Sequence, residues 1–392
     1  MSLPPGLRGR DIVCVGFADW DAELWTNQHH LMARLAVENR ILFIESLGLR
    51  RPQLAGRDIT RILRRLRKGL AGPRRSPEGL HVLSPLVIPL HSNAFVRKLN
   101  ARLLPALVRR AARRLGFERP ILWGYVPQAE SLIEALDPSL VIYHCVDDVS
   151  AHERIDTASF RAAEERFAGR ADLVMASAPE LLRRMRELSQ NVLYAPNVAD
   201  TELFASALEP GGSGDAQMAA LPAPRLAFTG AISAIKLDVE LLKALARAHP
   251  EWSLALVGPV GLGDPHTDVS ALAAEPNVHL LGTRGYEQLP GVLREADAGL
   301  IPYARNELTD SIFPMKVYEY LAAGLPVVAT ELPALSEVEE VRTAPDATGF
   351  IALLEQELAG DSEERRLTRS RAAQEHSWSA RLLEISTAIE AL

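Results

Sequence analysis

The sequence predicts an α/β protein made of two successive Rossmann-like units, each with a doubly wound parallel sheet. Short, fully apolar segments alternate with segments of helical spacing, which is typical of parallel strands covered by helices on both faces. The alternation stops after Phe204 in a stretch rich in Gly, Ala, Pro and Ser, and then restarts at Arg225. The chain has 392 residues, which is enough for two or three domains at roughly 150 residues each.

In the first half, strands are predicted where short apolar runs end near Gly, Ser or Asp. Helices are predicted where apolar residues recur every three or four positions. The predicted strands are Ile12–Gly16, Arg40–Glu45, Ile121–Tyr125, Leu140–Val146, Leu173–Ser177 and Asn191–Tyr194, and the predicted helices are Gln28–Glu38, Gln128–Leu136 and Pro179–Leu188.

The same rules predict the second half. Its strands are Arg225–Thr229, Trp252–Val257, Val278–Leu281, Ala298–Ile301 and Pro326–Ala329, and its helices are Asp238–Ala248, Val317–Ala323 and the C-terminal stretch 362–392. We therefore predict a first domain over 1–204, a linker over 205–224 and a second domain over 225–375. The sequence contains neither GxGxxG nor a Walker A motif, so a dehydrogenase or a P-loop NTPase has little support.

Composition excludes several other classes of protein. Apolar residues are 47% and charged residues 24%, as in ordinary globular proteins. No apolar run is long enough to span a bilayer, and the N-terminus lacks the features of a signal peptide, so we expect a cytoplasmic protein. The only cysteines, Cys14 and Cys145, lie in predicted strands, which excludes a disulfide scaffold and a cysteine-built zinc site.

The net charge of −7 conceals two basic stretches, residues 50–75 and 97–119, which together carry 18 of the 43 Lys and Arg residues. Ile59–Leu70 has the pattern of a basic amphipathic helix, and Leu103–Leu115 has a similar make-up. The basic face of such a helix is either exposed to solvent or bound to an anionic membrane surface. Nucleic acid is another usual partner, but no nucleic-acid module accompanies the charge, so we favour peripheral membrane association over residues 57–70 and 97–114.

The most informative segment is DSIFPMKVYEYLAAGLPVVAT, residues 310–330. A loop with Pro314 leads into a helix that presents Lys316 and Glu319 and ends at Gly324. The start of a helix favours phosphate, and Lys316 adds a point charge there. Glu319 can accept two hydrogen bonds from a vicinal diol such as a ribose. The alternative is an ordinary surface pair three residues apart.

This segment resembles the donor-binding motif of retaining glycosyltransferases of the GT-B fold, the family 4-like group. More narrowly, it resembles bacterial cell-envelope enzymes similar to those of teichuronic acid biosynthesis. The resemblance implies two Rossmann-like domains facing a central cleft, and a last helix, 376–392, that packs back on the first domain. It also implies that Glu319 binds the nucleotide ribose. The family's other glutamate, which contacts the donor sugar or assists catalysis, falls at Ser311, next to Asp310. The donor motif also includes Phe313, Pro314, Met315 and Val317.

Two further segments resemble the same family. FTGAISAIK is similar to the loop that grips the donor diphosphate, which assigns that role to Gly230 and Lys236; the family's arginine falls at Ala231. The segment around GTRGYEQL resembles the nucleotide-base region and places Gly282 and Arg284 near the base.

On the first domain, the loop after the first strand contains Gly16, which the resemblance places near the donor phosphate. Trp20 lies in the same loop, and its two possible roles are to stack on an acceptor sugar or to pack within the loop. Tyr125 and His144 end neighbouring strands on the acceptor side. Asp147 is the candidate catalytic carboxylate, because alternation along a strand turns Asp148 away from the same site. For that reason we expect no metal site.

Together these features predict transfer of a sugar from a nucleotide-sugar donor, UDP in the first instance, to an envelope glycan or lipid-linked acceptor, with retention. Two lysines and a helix N-terminus can neutralise the diphosphate, so no metal or other cofactor is expected. We also expect no nucleic-acid partner. The alternatives are a small natural-product acceptor and, because of Ser311 and Ala231, a catalytically impaired nucleotide-sugar-binding protein.

Overall fold

A computed structural model of the chain describes residues 2–46, 72–85, 94–148, 156–262, 264 and 266–392. These residues form two compact units, Met1–Pro196 with Leu382–Leu392, and Asn197–Arg381. The predicted boundary at residue 204 therefore differs from that of the structure. The stretch predicted as a linker, 205–224, is folded within the second unit, where Met218 is fully buried.

The first unit is built on an eight-stranded sheet in the order β3-β4-β2-β1-β5-β6-β7-β8. All neighbouring strands are parallel except β3 and β4, which are antiparallel. The strands are β1 Asp11–Val15, β2 Arg40–Ile44, β3 Arg74–Arg75, β4 His81–Leu83, β5 Ile121–Gly124, β6 Leu140–Cys145, β7 Leu173–Ala176 and β8 Val192–Tyr194. The central strands are buried on both faces, which explains their continuous apolar runs.

Helices cover this sheet, and their starts are set by local capping; for example, Asp156 accepts a hydrogen bond from the backbone N–H of Ser159 at the start of α4. The helices are α1 Asn27–Leu35, α2 Ala94–Arg114, α3 Ile133–Leu136, α4 Thr157–Ala168 and α5 Pro179–Leu188, with 3₁₀ turns at Pro5–Leu7 and Pro127–Leu132. The predicted helix Gln128–Leu136 is thus mostly a 3₁₀ segment.

The second unit has a six-stranded, fully parallel sheet in the order β11-β10-β9-β12-β13-β14. Its strands are β9 Arg225–Thr229, β10 Ser253–Val257, β11 Val278–Gly282, β12 Ala298–Ile301, β13 Val327–Thr330 and β14 Val341–Ala344. This order reverses direction at β9, so the carboxyl ends of β9 and β12 flank the position where open α/β sheets bind their ligands.

The helices that follow residue 197 are α6 Thr201–Ala205, α7 Ala216–Ala219, α8 Val239–Ala248, α9 Ser270–Ala273, α10 Leu289–Arg294, α11 Glu307–Asp310, α12 Lys316–Ala322, α13 Ala347–Ala359, α14 Glu363–Ala373 and α15 Trp378–Glu390. From Leu382 onward, α15 belongs to the first unit. There the backbone N–H of Gly6 donates to Ser386 Oγ (3.1 Å) and to Glu390 Oε1 (2.8 Å).

Within the described part of the chain, no helix is both long enough and apolar enough to cross a membrane.

Candidate functional site

Two glycines end adjacent strands of the second sheet, and their backbones touch. Gly230 follows β9 with φ +128°, and Gly258 follows β10 with φ +151°, conformations that favour glycine. A Cβ on Gly258 would lie 1.9 Å from the Gly230 carbonyl oxygen, and a Cβ on Gly230 would lie 2.5 Å from Lys316 Cε. The absence of side chains here therefore lets the end of the Lys316 side chain rest against the carboxyl end of β9.

The Lys316–Glu319 pair is not on the surface. The Glu319 side chain is buried, since the residue is only 4% exposed, and Lys316 is half-buried. Burial raises the pKa of Glu319, while the positive charge of Lys316 and a hydrogen bond with Tyr286 act to lower it. The alternative of an exposed surface pair is therefore wrong. A buried carboxylate with a perturbed pKa at the ligand-binding edge of a sheet is typical of a functional site.

Tyr320 fixes how α12 is rotated against the sheet. Its hydroxyl oxygen accepts a hydrogen bond from the backbone N–H of Thr229 (2.8 Å) at the end of β9. Its ring packs on Gly299 so closely that a Cβ there would lie 2.4 Å from a ring carbon. Because Lys316 lies one turn before Tyr320 on the same face of the helix, this contact directs Lys316 to the strand end.

A second lysine lies close to the first. Burial lowers the pKa of Lys316, the nearby positive charge of Lys236 lowers it further, and Glu319 opposes both effects. The Lys236 loop is held by Asp264, whose carboxylate accepts hydrogen bonds from the Thr267 hydroxyl (2.7 Å) and the Ile235 N–H (3.3 Å). Lys316 therefore has a second cation nearby as well as the Glu319 carboxylate, and the excess of positive charge around it is suited to an anion.

The loop before α12 has fewer available groups than the sequence predicted. Ser311 and Phe313 are buried, and the Phe313 carbonyl accepts a hydrogen bond from Asn197 Nδ2 (2.8 Å). The side chains of Phe313 and Val317 belong to the hydrophobic core, so only their backbone atoms could contact a donor. Asp310 pairs with Arg305 (2.8 Å), so its carboxylate already has a cationic partner on the protein. Pro314 is buried and Met315 is half-buried.

Arg284 has partners within its own unit. Its Nε donates to Asp215 (2.7 Å) and its Nη1 to the Leu281 carbonyl (2.7 Å), so the guanidinium stabilises the fold of this unit. Asp215 lies in the stretch that was predicted to be a linker, and this ion pair was therefore not foreseen. Gly282 has φ +73°, and a Cβ added to it would meet no atom of the described residues within 4 Å, so its surroundings in that part of the chain are open.

In the first unit, the loop after β1 packs tightly around Gly16. A Cβ on Gly16 would lie 2.5 Å from Phe43 Cζ and 2.6 Å from Gln28 Oε1. The same Gln28 oxygen accepts the backbone N–H of Phe17 (2.9 Å), which ties the loop to the start of α1.

Trp20 does not offer a sugar-stacking surface. The residue is 2% exposed, its ring packs against Phe43 (centroids 4.9 Å apart) and His29 (5.3 Å), and its indole N–H donates to Glu78 (3.0 Å). The alternative, simple loop packing, is the correct interpretation. Trp25 is half-buried beside the same rings.

Tyr125 and His144 come together as the sequence suggested. Their rings stack with centroids 4.8 Å apart, and the Tyr125 hydroxyl donates to Asn27 Oδ1 (3.1 Å). Both residues are buried, so they shape the strand ends rather than projecting from them.

Asp147 and Asp148 have different surroundings. Asp147 is half-buried, whereas Asp148 is buried and accepts hydrogen bonds from Arg161 (2.6 Å) and Arg184 (2.9 Å). Arg184 also donates to Glu164, which is buried (3.2 Å). Asp148 is therefore part of an ion-pair network. The sequence does not predict these two partners, because no local spacing connects Asp148 to residues 13 and 36 positions away.

Residues 223–359 match the family model described as glycosyl transferases group 1. This match lies within the second unit. The predicted resemblance and the prediction of a glycosyltransferase are confirmed by this match. The glycosyltransferase is also 28% identical over 316 residues to TuaH of Bacillus subtilis (strain 168), named a putative teichuronic acid biosynthesis glycosyltransferase. That alignment covers 75% of this chain and 77% of TuaH.

Solved structures confirm the fold class of this glycosyltransferase. The sucrose-phosphate synthase of Thermosynechococcus elongatus has a TM-score of 0.67 at 16% identity, over 97% of this chain and 98% of its own. HepE of Anabaena, in complex with UDP and glucose, has a TM-score of 0.67 at 14% identity, over 98% and 100%. The chain has the GT-B fold, with two parallel-sheet α/β units, as the motifs predicted.

Proposed function

We propose that this glycosyltransferase transfers a sugar from a UDP-sugar to an envelope glycan or a lipid-linked acceptor, with retention of configuration. The observation that carries the proposal is the pair on α12 of a half-buried Lys316, whose side chain lies against Gly230 at the end of β9, and a buried Glu319. The remaining support comes from the second lysine and from what related proteins bind.

Lys316 and Lys236 are the groups that we assign to the donor diphosphate. Each supplies a point charge, and the partly buried setting strengthens attraction to phosphate relative to open water. Mutual repulsion of the two lysines, which lowers the pKa of Lys316, is relieved when an anion binds between them.

Glu319 is the group that we assign to the ribose. An ionised carboxylate can accept hydrogen bonds from two neighbouring hydroxyls at once. Burial raises the pKa of Glu319, while the Lys316 charge and a hydrogen bond with Tyr286 oppose that rise and so favour the ionised form.

The choice of UDP and of the acceptor rests on relatives. HepE of Anabaena was solved with UDP-glucose, and an Escherichia coli protein with a TM-score of 0.65 was solved with UDP-2-fluoro glucose. The name of TuaH supports an envelope polysaccharide as the acceptor. Retention is supported by the family resemblance, which also places Ser311 at the position of a family glutamate, whereas the catalytic role of Asp147 rests on its position just after β6. The anomeric configuration of the product would test retention directly. A small natural-product acceptor is the competing acceptor class.

We also propose that the chemical step needs no divalent ion, because the two lysines can stabilise the leaving diphosphate. Turnover should therefore persist in EDTA. Loss of turnover that only Mg²⁺ or Mn²⁺ restores would contradict this assignment.

A thermal-shift panel of UDP-, GDP-, dTDP- and ADP-sugars tests the donor. A ligand present at 100 times its dissociation constant should stabilise the protein by about 2.7 kcal/mol, and we expect this with a UDP-sugar. Slow release of UDP from the same sugar would then separate a working transferase from a protein that only binds. No shift with any of the four classes would overturn the proposal.

A further inference from the structure

The helix that carries Lys316 and Glu319 is too short to hold its own position. α12 has seven residues, and helices of that length are unstable in isolation, so tertiary contacts must decide where it lies. Its last carbonyl groups have no partner within the helix and need one from elsewhere.

Two buried residues of α14 bind this end of α12. Ser370 Oγ donates to the carbonyl of Ala322, the last residue of the helix (2.7 Å), and Arg369 Nε donates to the carbonyl of Gly324, two residues beyond it (2.9 Å). Both residues are 7% exposed. The Arg369 charge also lies at the C-terminal end of α12, where a cation is favourable.

Arg369 is itself fixed. Its Nη2 pairs with Asp361, and the same carboxylate accepts a hydrogen bond from Arg366 Nε (2.6 Å). Close packing completes the contact, since a Cβ on Gly324 would lie 3.1 Å from Arg366 Cβ. The end of α12 is therefore attached to a rigid neighbour.

We infer that Arg369 and Ser370 are positioning residues for donor binding, which act by holding α12 so that Lys316 and Glu319 face the end of β9. A helix advances 1.5 Å and turns about 100° per residue, so a small slip or rotation moves both side chains out of hydrogen-bond range. The inference rests on the proposed function, because it assigns these residues to the same donor site.

Arg369→Lys keeps the charge but loses the guanidinium that joins Asp361 to the Gly324 carbonyl. Arg371→Lys is the matched control, since Arg371 is exposed on the same helix. We expect Arg369→Lys to weaken UDP affinity by about 5- to 20-fold and Arg371→Lys to leave it within about twofold. Titration calorimetry is done well below each melting temperature, so that every sample is folded. Ser370→Ala, which removes only a hydroxyl, carries the test if Arg369→Lys does not fold, and should weaken UDP affinity by about 3- to 10-fold.

Combination with Glu319→Gln separates positioning from simple stability. If Arg369 acts through α12, the Arg369→Lys and Glu319→Gln substitutions disturb the same contact with UDP. The variant with both substitutions should then lose less UDP affinity than the product of the two single fold-losses. The KM for the donor should rise more than kcat falls. Unchanged UDP affinity in Arg369→Lys and Ser370→Ala, or fully additive losses with Glu319→Gln, would overturn the inference. Failure of the unmodified protein to bind UDP would instead overturn the proposed function, and this inference with it.

Discussion

At Glu319 and Trp20, burial decides what each side chain can do. Both were expected at the site from their residue type and position. Glu319 is buried beside a lysine at a strand end, which suits a ligand-binding carboxylate. Trp20 is buried among other rings, which suits packing and leaves no free face for a sugar. Residue type alone does not separate these two outcomes.

Replacement of Glu319 tests the proposed ribose contact. A hydrogen bond to a charged group is worth roughly 1.5–3 kcal/mol, so Glu319→Ala should weaken UDP affinity by about 10- to 150-fold. Glu319→Gln can still accept a hydrogen bond, and its defect should be smaller. Calorimetric titration of each variant with UDP and with uridine measures these affinities. Unchanged affinity in Glu319→Ala would remove the ribose assignment.

Lys316 predicts a pH dependence of diphosphate binding. The pKa of Lys316 lies below that of an ordinary lysine, so as the pH rises its ammonium group loses its proton before other lysines do. UDP affinity should therefore fall with rising pH before ordinary lysines titrate, whereas uridine affinity should change little. The control is Lys316→Ala, in which most of this pH dependence should be lost. An identical pH profile in the variant would assign the effect to another group.

At the scale of elements, the site depends on how α12 meets the end of β9. The sequence predicts the helix, because apolar spacing and Gly324 mark its course and its end. It does not predict that Gly230 makes room for Lys316 or that Tyr320 binds the backbone of β9. Those contacts join residues about 90 positions apart.

Gly230→Ala tests this contact between elements. The new methyl group would displace the end of Lys316, so we expect a tenfold or greater loss of UDP affinity with a moderate loss of stability. Gly211→Ala is the control, because Gly211 also has positive φ (+79°), but its added Cβ would meet no atom of the described residues within 4 Å. Both variants carry backbone strain of about 1 kcal/mol or more, which chemical denaturation measures. If Gly230→Ala binds UDP as tightly as Gly211→Ala does, the proposed position of Lys316 is contradicted.

At the scale of the whole molecule, the distribution of charge matters more than the total of −7. In the first unit, α2 buries Leu104, Val108 and Ala111 in the core. Its opposite face exposes Leu103 (43%) and five arginines, Arg102, Arg109, Arg110, Arg113 and Arg114. This face is the described part of the proposed membrane surface. The predicted basic helix Ile59–Leu70 lies outside the described residues.

Vesicle flotation tests the membrane proposal. Each arginine near an anionic surface contributes about 1 kcal/mol, so the double variant Arg109→Gln/Arg110→Gln should bind anionic vesicles roughly 30-fold more weakly. Arg186→Gln/Arg371→Gln makes the same change in net charge at exposed positions elsewhere and should bind normally. High salt should weaken binding of the unmodified protein. Equal binding to neutral and anionic vesicles would reject the electrostatic account.

The sequence by itself determined the parts of this protein that depend on local pattern. The central strands of both sheets were predicted to within about one residue of their observed bounds, and β9 and β12 at those bounds, because a strand buried on both faces must be continuously apolar. The Lys316–Glu319 segment was found by its motif. Short edge strands such as β14, and α13, were missed, since their residues mix polar and apolar types.

Only the tertiary structure decided which polar groups are available. Arg284 is bound to Asp215, Asp310 to Arg305, and Asp148 to two arginines, while Lys316 lies near both Lys236 and Glu319. Arg284 with Asp215, Asp148 with Arg184, and Lys236 with Lys316 are pairings of residues far apart in the chain. Burial, which raises the pKa of Glu319 and lowers that of Lys316, arises from the packing of α12 on β9 and is absent from any local pattern.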